Sequence, residues 1–257
     1  MLKFIVIIIR HMKIALLVPS RERIDLKKRI IQSLLSTTNS PDNFTLYFGV
    51  DDDDPQRDLA IDLSRQYNFV KVVGIHNNGK FIGLGKIWNI LARTSTEEII
   101  SMIGDDMEFK SRDWDIKIIE EFTGDNLPKD KIKMVFANDL HWGANLATNH
   151  FLHRKYMDIN GYYTREEFQS WGVDPWIHQV FSSMGRVKYR GDIIIEHKQF
   201  NLGKAGKEPD SVTKKMSANG YGGRQEIWNR TVSERLAEVR RFHYYLGIAY
   251  DPNKIRK

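Results

Sequence analysis

The chain has 257 residues, 41% hydrophobic and 28% charged, with 39 Lys and Arg against 33 Asp and Glu for a formal net charge of +6. That length suits one large domain or two small ones with a substantial core, and the composition argues against wholesale disorder. There is no cysteine, which excludes disulfides, thiolate catalysis and sulfur-ligated metal sites, and fits a reducing, cytoplasmic compartment.

Phe4 to Ile9 is the only strongly apolar run. It is far shorter than the ~20 residues of a membrane span and lacks a signal-peptide cleavage pattern, so no membrane span is expected. His11-Met12 is the dipeptide that a common cloning site leaves. Residues 1–11 therefore read as a leader or mis-start, with a spare edge strand as the alternative, and stand outside the fold argument. Ile14 to Val18, ended by Pro19, reads as a buried strand. Arg23 to Leu35 has helical spacing at Ile24, Ile30, Ile31, Leu34 and Leu35. Phe44 to Val50 is a second strand that runs into Asp51 to Asp54. Leu59 to Tyr67 is helical, Val70 to Val73 a strand, Gly85 to Arg93 a helix, and Ile99 to Ile103 a fourth strand ending at Gly104-Asp105-Asp106. This alternation predicts a mostly parallel α/β sheet with helices on both faces, whose ligands bind outside the carboxyl ends of the strands. Both acidic clusters fall at such ends.

The order loosens after Asp106. Trp114 to Phe122 reads as a helix, Met134 to Ala137 as a strand, His150 to Tyr163 and Pro175 to Met184 as helical in part, and Ile193 to Ile195 as a late strand. Asn201 to Gly223 is rich in Gly, Lys and Ser without periodicity and reads as a mobile loop. Val232 to Leu246 closes as a helix before a basic tail. No repeat or domain linker is evident.

Several motifs fail on inspection. Gly79 and Gly85-Lys86 stand one residue too far apart for a phosphate loop, and Ile87 follows where a hydroxyl is needed. Gly83-Leu84-Gly85 lacks the third glycine of a dinucleotide fingerprint, since Trp88 occupies that position. His150 and His153 lack the glutamate of a zinc-protease helix.

Asp105 and Asp106 supply hard oxygen ligands where the ligand crevice should lie, suited to a divalent ion that would offset the charge of a departing diphosphate. Taken alone, a turn with two solvated aspartates is the plainer reading. Three features tip the balance: Arg21 and Arg23 after the first strand, Asp51 at the end of the second, and His197 in Ile195-Glu196-His197.

These segments together resemble the GT-A glycosyltransferases, especially the family 2-like proteins that recur in phage and bacterial genomes. The matching stretches are Val18 to Arg23, Gly49-Val50-Asp51-Asp52, Lys86 to Asn89, Ile103 to Met107, Trp171 to Trp176 and Ile195-Glu196-His197. They occur in the expected order and cover nearly all of Ile14 to Lys207. The resemblance implies a GT-A domain over residues 12–200, divided into a nucleotide-sugar half (12–107) and an acceptor half (108–200), followed by a lid loop, helix and basic tail (201–257). It implies that Asp51 contacts the nucleotide base, with Arg21 or Arg23 beside base or phosphates. Asp105 would lie near the ribose or sugar. Asp106, the last acid of the family's Asp-x-Asp motif, and His197 would hold Mn²⁺ or Mg²⁺, the histidine tilting the choice to Mn²⁺. Gly104 departs from the motif, standing where its first aspartate belongs.

Asp174 matches the family's catalytic base in inverting enzymes, flanked by Trp171 and Trp176 as an acceptor wall; alternatively both tryptophans are core and Asp174 caps a helix. Lys86 and Lys204 are further donor-site candidates, Lys204 on a lid hinged at Gly203 and Gly206. Lys86 and Asn89 also suit ordinary surface positions. Glu166 and Glu167 read as a solvated face, with either a possible competitor as base, and Asp51 to Asp54 is a rival metal cluster.

The expected activity is transfer of a sugar from a nucleoside-diphosphate sugar to an acceptor hydroxyl. Residues 198–257 carry 13 Lys and Arg against 6 Asp and Glu, interleaved with Tyr221, Trp228, Phe242, Tyr244 and Tyr245. That pattern suits a DNA acceptor, with hydroxymethylpyrimidine as nucleophile and the host cytoplasm as location if the gene is a phage's. A saccharide or lipid-linked acceptor is the alternative. Two rivals are a nucleotidyltransferase, which would want a Gly- and Lys-rich signature after the first strand, and a non-catalytic nucleic-acid-binding protein.

Overall fold

A computed structural model describes residues 12–169, 172–198, 214 and 224–251. The alternation expected for the first half is present. β1 (Ile14–Pro19), α1 (Ile24–Thr37), β2 (Phe44–Asp51), α2 (Arg57–Gln66), β3 (Val70–Ile75), α3 (Leu84–Thr94) and β4 (Ile99–Met102) follow in order. Next come β5 (Met107–Phe109), α4 (Trp114–Glu121), β6 (Met134–Asn138), β7 (His150–His153), α5 (Lys155–Asn160), α6 (Val173–Ser183), β8 (Val187–His197), α7 (Arg224–Arg230) and α8 (Val232–Leu246).

The eight strands form one sheet in the order β3-β2-β1-β4-β7-β6-β8-β5. The β3-β2-β1-β4 part is parallel, while β7 runs antiparallel to both β4 and β6, and β5 antiparallel to β8. β6 and β8 are parallel to each other, with a register shift between Ala137 and Asn138. From β1 the chain builds outward through β2 and β3, then returns to lay β4 on β1's other side. The crevice between β1 and β4 is thus the topological switch point, where strand-end loops diverge and leave room for a ligand.

Both faces of the sheet are covered, as the near-continuous apolar strands require. Along β1 the period-2 alternation sends Ala15 and Leu17 to one core, with Trp88 and Leu91 of α3, Tyr156 of α5 and Trp176 of α6. Ile14, Leu16 and Val18 go to the other, with Ile30, Ile31 and Leu34 of α1, Leu63 of α2 and Trp114 and Ile118 of α4. Each such aliphatic side chain contributes about 1.5–3 kcal/mol by burial.

The second half departs from the expected elements. His150 to Tyr163, expected to be helical in part, opens with a buried strand at His150–His153, and its helical part is α5 (Lys155–Asn160). The late strand is 11 residues long rather than three, because alternating Lys188, Arg190 and Asp192 interrupt its apolar pattern. The C-terminal helix has the expected bounds. It is part of the fold: Val239 and Phe242 enter the first core, and the buried Glu238 accepts hydrogen bonds from Tyr156 Oη (2.6 Å), Tyr162 Oη (2.7 Å) and Trp176 Nε1 (2.9 Å). Apart from residue 214, the expected lid, Lys204 within it, and residues 1–11 lie outside the described residues. Among those described, no helix is long and apolar enough to cross a membrane.

Candidate active site

The turn after β1 and the turn after β4 meet at the switch point. Asp105, almost fully buried, accepts Ser20 Oγ at 2.7 Å and Arg23 Nη1 at 2.9 Å on its two carboxylate oxygens. Burial and the neighbouring Asp106 push its pKa up despite Arg23 and Ser20. Arg21 reaches the other way, to Asp51 Oδ2 at 3.0 Å and to the Asp53 carboxylate, which also accepts Asn77 Nδ2 at 2.6 Å. The rival cluster is therefore already engaged. Asp52 pairs with His76 (2.9 Å), while Asp54 accepts the backbone N–H of Glu22 (2.9 Å) and Gln56 (2.8 Å). Asp54 thereby fastens the turn in which Glu22 takes the left-handed φ of 61°.

Asp106 and His197 face each other because β5, the short strand right after Asp106, pairs antiparallel with the end of β8, Met107 opposite His197. Lys198 N–H donates to Asp106 O at 3.0 Å and His197 N–H to Asp139 O at 3.1 Å, so both backbones are anchored. His197 Nε2 then lies 3.3 Å from Asp106 Oδ2. Burial disfavours both charges, yet each outweighs it for the other: Asp106 is held below the usual carboxylate range, and His197 above its ordinary value with help from Asp174 and Asp139.

The pair fits a divalent ion. Two cis ligands at about 2.1 Å from one ion stand about 3 Å apart, close to the observed separation. A carboxylate oxygen with an imidazole nitrogen is a borderline donor set that suits Mn²⁺. Buried His197 Nδ1 has no hydrogen-bond partner, so the ring's orientation rests on Asp106 and packing alone. Among the described residues no group of three or more His, Cys, Asp or Glu is placed to hold an ion. Such an ion would need oxygens from a ligand, which is the usual way a metal is held on substrate phosphates. Gly104 has a local cause: a Cβ there would lie 2.6 Å from Asp106 Oδ1. A side chain at the first position of the motif would displace the carboxylate at its last.

Asp174 is the second residue of α6, whose N-cap is Gly172 at φ 108°. A Cβ on Gly172 would strike the Phe168 ring at 2.3 Å, so only glycine allows this entry. Asp174 is thus in the first turn rather than at the cap, where a helix N-terminus favours negative charge. Burial dominates: it raises the Asp174 pKa to about 6, against its own backbone N–H and His197, with Asp139 adding to the rise.

Other expectations need correction. Trp176 is 1% exposed and bonded to Glu238, so it is core and no acceptor wall; Trp171 lies outside the described residues. Asn89 is buried, clasping Thr164 O and Glu166 Oε1 and accepting from Tyr163 and Thr164 N–H. That engages Glu166, and Arg165 engages Glu167, so neither is a free base. Lys86 is exposed in the first turn of α3, at the same sheet edge but without contact to the Asp105 cluster. Phe242 is stacked on Tyr156, and Trp228 lies under the guanidinium of buried Arg235, 3.8 Å from its ring centroid.

Lys27 was missed. It is fully buried one turn along α1 from Arg23, its Nζ has no hydrogen-bond partner, and burial lowers its pKa against the pull of Asp105 and Asp54. The signal was present: Lys27 interrupts the apolar stripe Ile24, Ile31, Leu34 of α1.

No protein-family model matches the chain, and no curated protein matches it. Solved structures do match in fold. TarS 1–349 of S. aureus in complex with UDP aligns with TM-score 0.55 and 14% identity, over 72% of this chain and 59% of that one. The mannosyltransferase PcManGT of Pyrobaculum calidifontis, in complex with GDP-Man and Mn²⁺, aligns with TM-score 0.58 and 12% identity over 88% of this chain and 74% of that one. GalNAc-T7 with UDP, GalNAc and Mn²⁺ gives 0.59 and 10% identity, over 73% and 44%. The chain thus spans less than two thirds of the TarS and GalNAc-T7 chains. These are GT-A fold glycosyltransferases, and the fold of this chain is GT-A.

Proposed function

We propose that the chain is a metal-dependent, inverting glycosyltransferase that moves a sugar from a nucleoside-diphosphate sugar to an acceptor hydroxyl. The observation that carries this is the Asp106–His197 pair at the switch point, with Asp174 close enough to His197 to feel its charge. The UDP-GlcNAc bound by the similarly folded TarS, the GDP-Man and Mn²⁺ bound by PcManGT, and the UDP, GalNAc and Mn²⁺ bound by GalNAc-T7 support the same donor class and metal.

In this reading Arg21 and Asp51 receive the nucleotide base, and Ser20 and Arg23 orient Asp105 toward ribose or sugar. Asp106 and His197 hold the Mn²⁺ or Mg²⁺ that neutralises the diphosphate when bound. Lys86 and Lys204 supply further cations for the donor. The acceptor oxygen attacks the anomeric carbon from the face opposite the diphosphate. As that bond forms, the bond from the anomeric carbon to the diphosphate oxygen breaks, and the acceptor's proton passes to Asp174. A carboxylate with a pKa near 6 is ionised at neutral pH yet basic enough to take that proton, a match that favours general-base catalysis.

Two acceptor classes are compatible with the sequence, and burial bears on them. Of the aromatics interleaved with the C-terminal charges, Phe242 and Trp228 are committed to packing, and Arg235 is enclosed. Tyr244 and Tyr245 stay exposed. The saccharide reading is therefore the stronger, with hydroxymethylpyrimidine in DNA as the second. Thermal unfolding of the chain against a panel of sugar nucleotides, with and without Mn²⁺, tests the donor reading. One donor should raise Tm in a metal-dependent way, because a ligand of the native state stabilises by mass action. No shift with any donor would refute it.

A further inference from the structure

The expected acceptor wall at Trp171 and Trp176 has no described exposed ring, yet an exposed indole stands elsewhere at the same edge. Among the described residues Trp142 is the one exposed tryptophan, 46% accessible, and neighbouring Leu140 is 46% accessible too. Both sit in the loop between β6 and β7. β4 and β6 are each antiparallel to β7, so they run parallel to each other. The loop after β6 therefore opens at the same sheet edge as Asp106 after β4 and His197 at the end of β8.

That loop is built rather than slack. One oxygen of buried Asp139 accepts the N–H groups of His141 (2.9 Å), Trp142 (2.7 Å) and Gly143 (3.0 Å), and the other accepts Thr148 Oγ1 (2.8 Å). Asn138 Oδ1 accepts Leu140 N–H at 2.9 Å, in a turn where Leu140 adopts a φ of 59°. A leucine in the left-handed region is strained, and such strain persists where its surroundings over-determine it. The loop is braced at both ends by elements of the proposed active site. Asp139 O receives His197 N–H, and Ala147 N–H donates at 3.1 Å to His178 Nδ1, one turn beyond Asp174 on α6. The indole is thus held in solvent three residues after Asp139, whose carbonyl accepts the N–H of His197, with the His141 ring edge-on at 4.8 Å.

We infer that this loop is an acceptor subsite in which the Trp142 ring stacks on the apolar face of a saccharide ring whose hydroxyl faces Asp174. The inference rests on the glycosyltransferase reading and commits it to a saccharide. The C–H face of a pyranose is apolar while its rim is hydroxylated, so it fits a flat indole with polar neighbours such as His141 and Asn145. A nucleobase would also stack, but its phosphates need cations. Residues 138–149 contain no Lys or Arg, and the nearby carboxylates Asp106, Asp139 and Asp174 would repel a polyanion.

The test uses the whole chain, Mn²⁺, the sugar nucleotide that stabilises it, and methyl glycosides of common hexoses and N-acetylhexosamines as acceptors. Trp142→Ala should raise the acceptor KM by roughly tenfold or more, Trp142→Phe should recover most of that loss, and donor Kd should stay as in wild type. Three results would overturn the subsite. The acceptor KM of Trp142→Ala could equal wild type; donor affinity could fall in step with turnover at unchanged acceptor KM; or hydroxymethylpyrimidine DNA could be glycosylated while no glycoside is. A wild-type chain that binds no sugar nucleotide refutes the enzyme reading itself, a different outcome from a donor-binding chain indifferent to Trp142.

Discussion

Asp174→Asn separates stability from activity. The native carboxyl keeps its proton to about pH 6, whereas in the unfolded chain it ionises near 3.8. Between those values the unfolded state binds fewer protons at this residue than the native one, so the contribution of Asp174 to stability falls as pH rises from about 4 to about 6 and is flat beyond. A group raised that far costs roughly 3 kcal/mol once ionised. Asparagine keeps the shape without the charge. The variant should therefore match wild type near pH 4 and exceed it by up to ~3 kcal/mol at pH 8, read by urea unfolding at both values. Turnover should fall by ~10²-fold or more, because an amide cannot accept the acceptor's proton. A more stable, less active variant is the mark of a half-buried carboxylate kept desolvated for chemistry. Equal or lower stability at pH 8 would show that the Asp174 pKa is not raised, and retained turnover would exclude it as the base.

For the wild type, kcat/KM should rise with pH through about 6 and level off as Asp174 ionises; a profile flat from pH 5 to 8 would exclude it as base. Asp106→Ala should abolish transfer with the fold intact by circular dichroism, and His197→Ala should weaken Mn²⁺ binding measured by calorimetry. Gly104→Asp, which supplies the first aspartate of an Asp-x-Asp sequence, should weaken Mn²⁺-dependent donor binding by roughly tenfold, since its Cβ displaces the Asp106 carboxylate. Tighter binding would contradict that geometry. Lys27→Met replaces a buried, unbonded ammonium by an apolar chain of similar length and should stabilise the donor-free protein by about 1–3 kcal/mol in denaturant unfolding.

The parallel half of the fold was legible because its signals are local. Each strand from β1 to β4 is a short apolar run, each intervening helix has 3.6-residue spacing, and Asp51, Asp105 and Asp106 end strands, where the topology makes a crevice. The bonds of Arg21 to Asp51 and of Arg23 to Asp105 join positions about 30 and 80 residues apart, which spacing alone could not reveal. The second half was less readable. His150 to His153 is too short and too continuously buried to show a period, and four residues, histidine at both ends, suit strand or helix equally. β5 has three residues and exists through pairing with β8, which is also what brings Asp106 to His197. Trp176 and Trp142 are the same residue type, each near candidate chemistry. Only the partners, Glu238 for one and solvent for the other, distinguish core from surface.

The proposed activity requires cleavage of a sugar nucleotide at the Asp106–His197 pair. Its most direct test is release of nucleoside diphosphate from UDP- and GDP-sugars by the wild-type chain with Mn²⁺, beside metal-free and Asp106→Ala controls. Release is expected from at least one donor, dependent on Mn²⁺ and lost in Asp106→Ala. Absence of release from every donor, or release undiminished in Asp106→Ala, would contradict it.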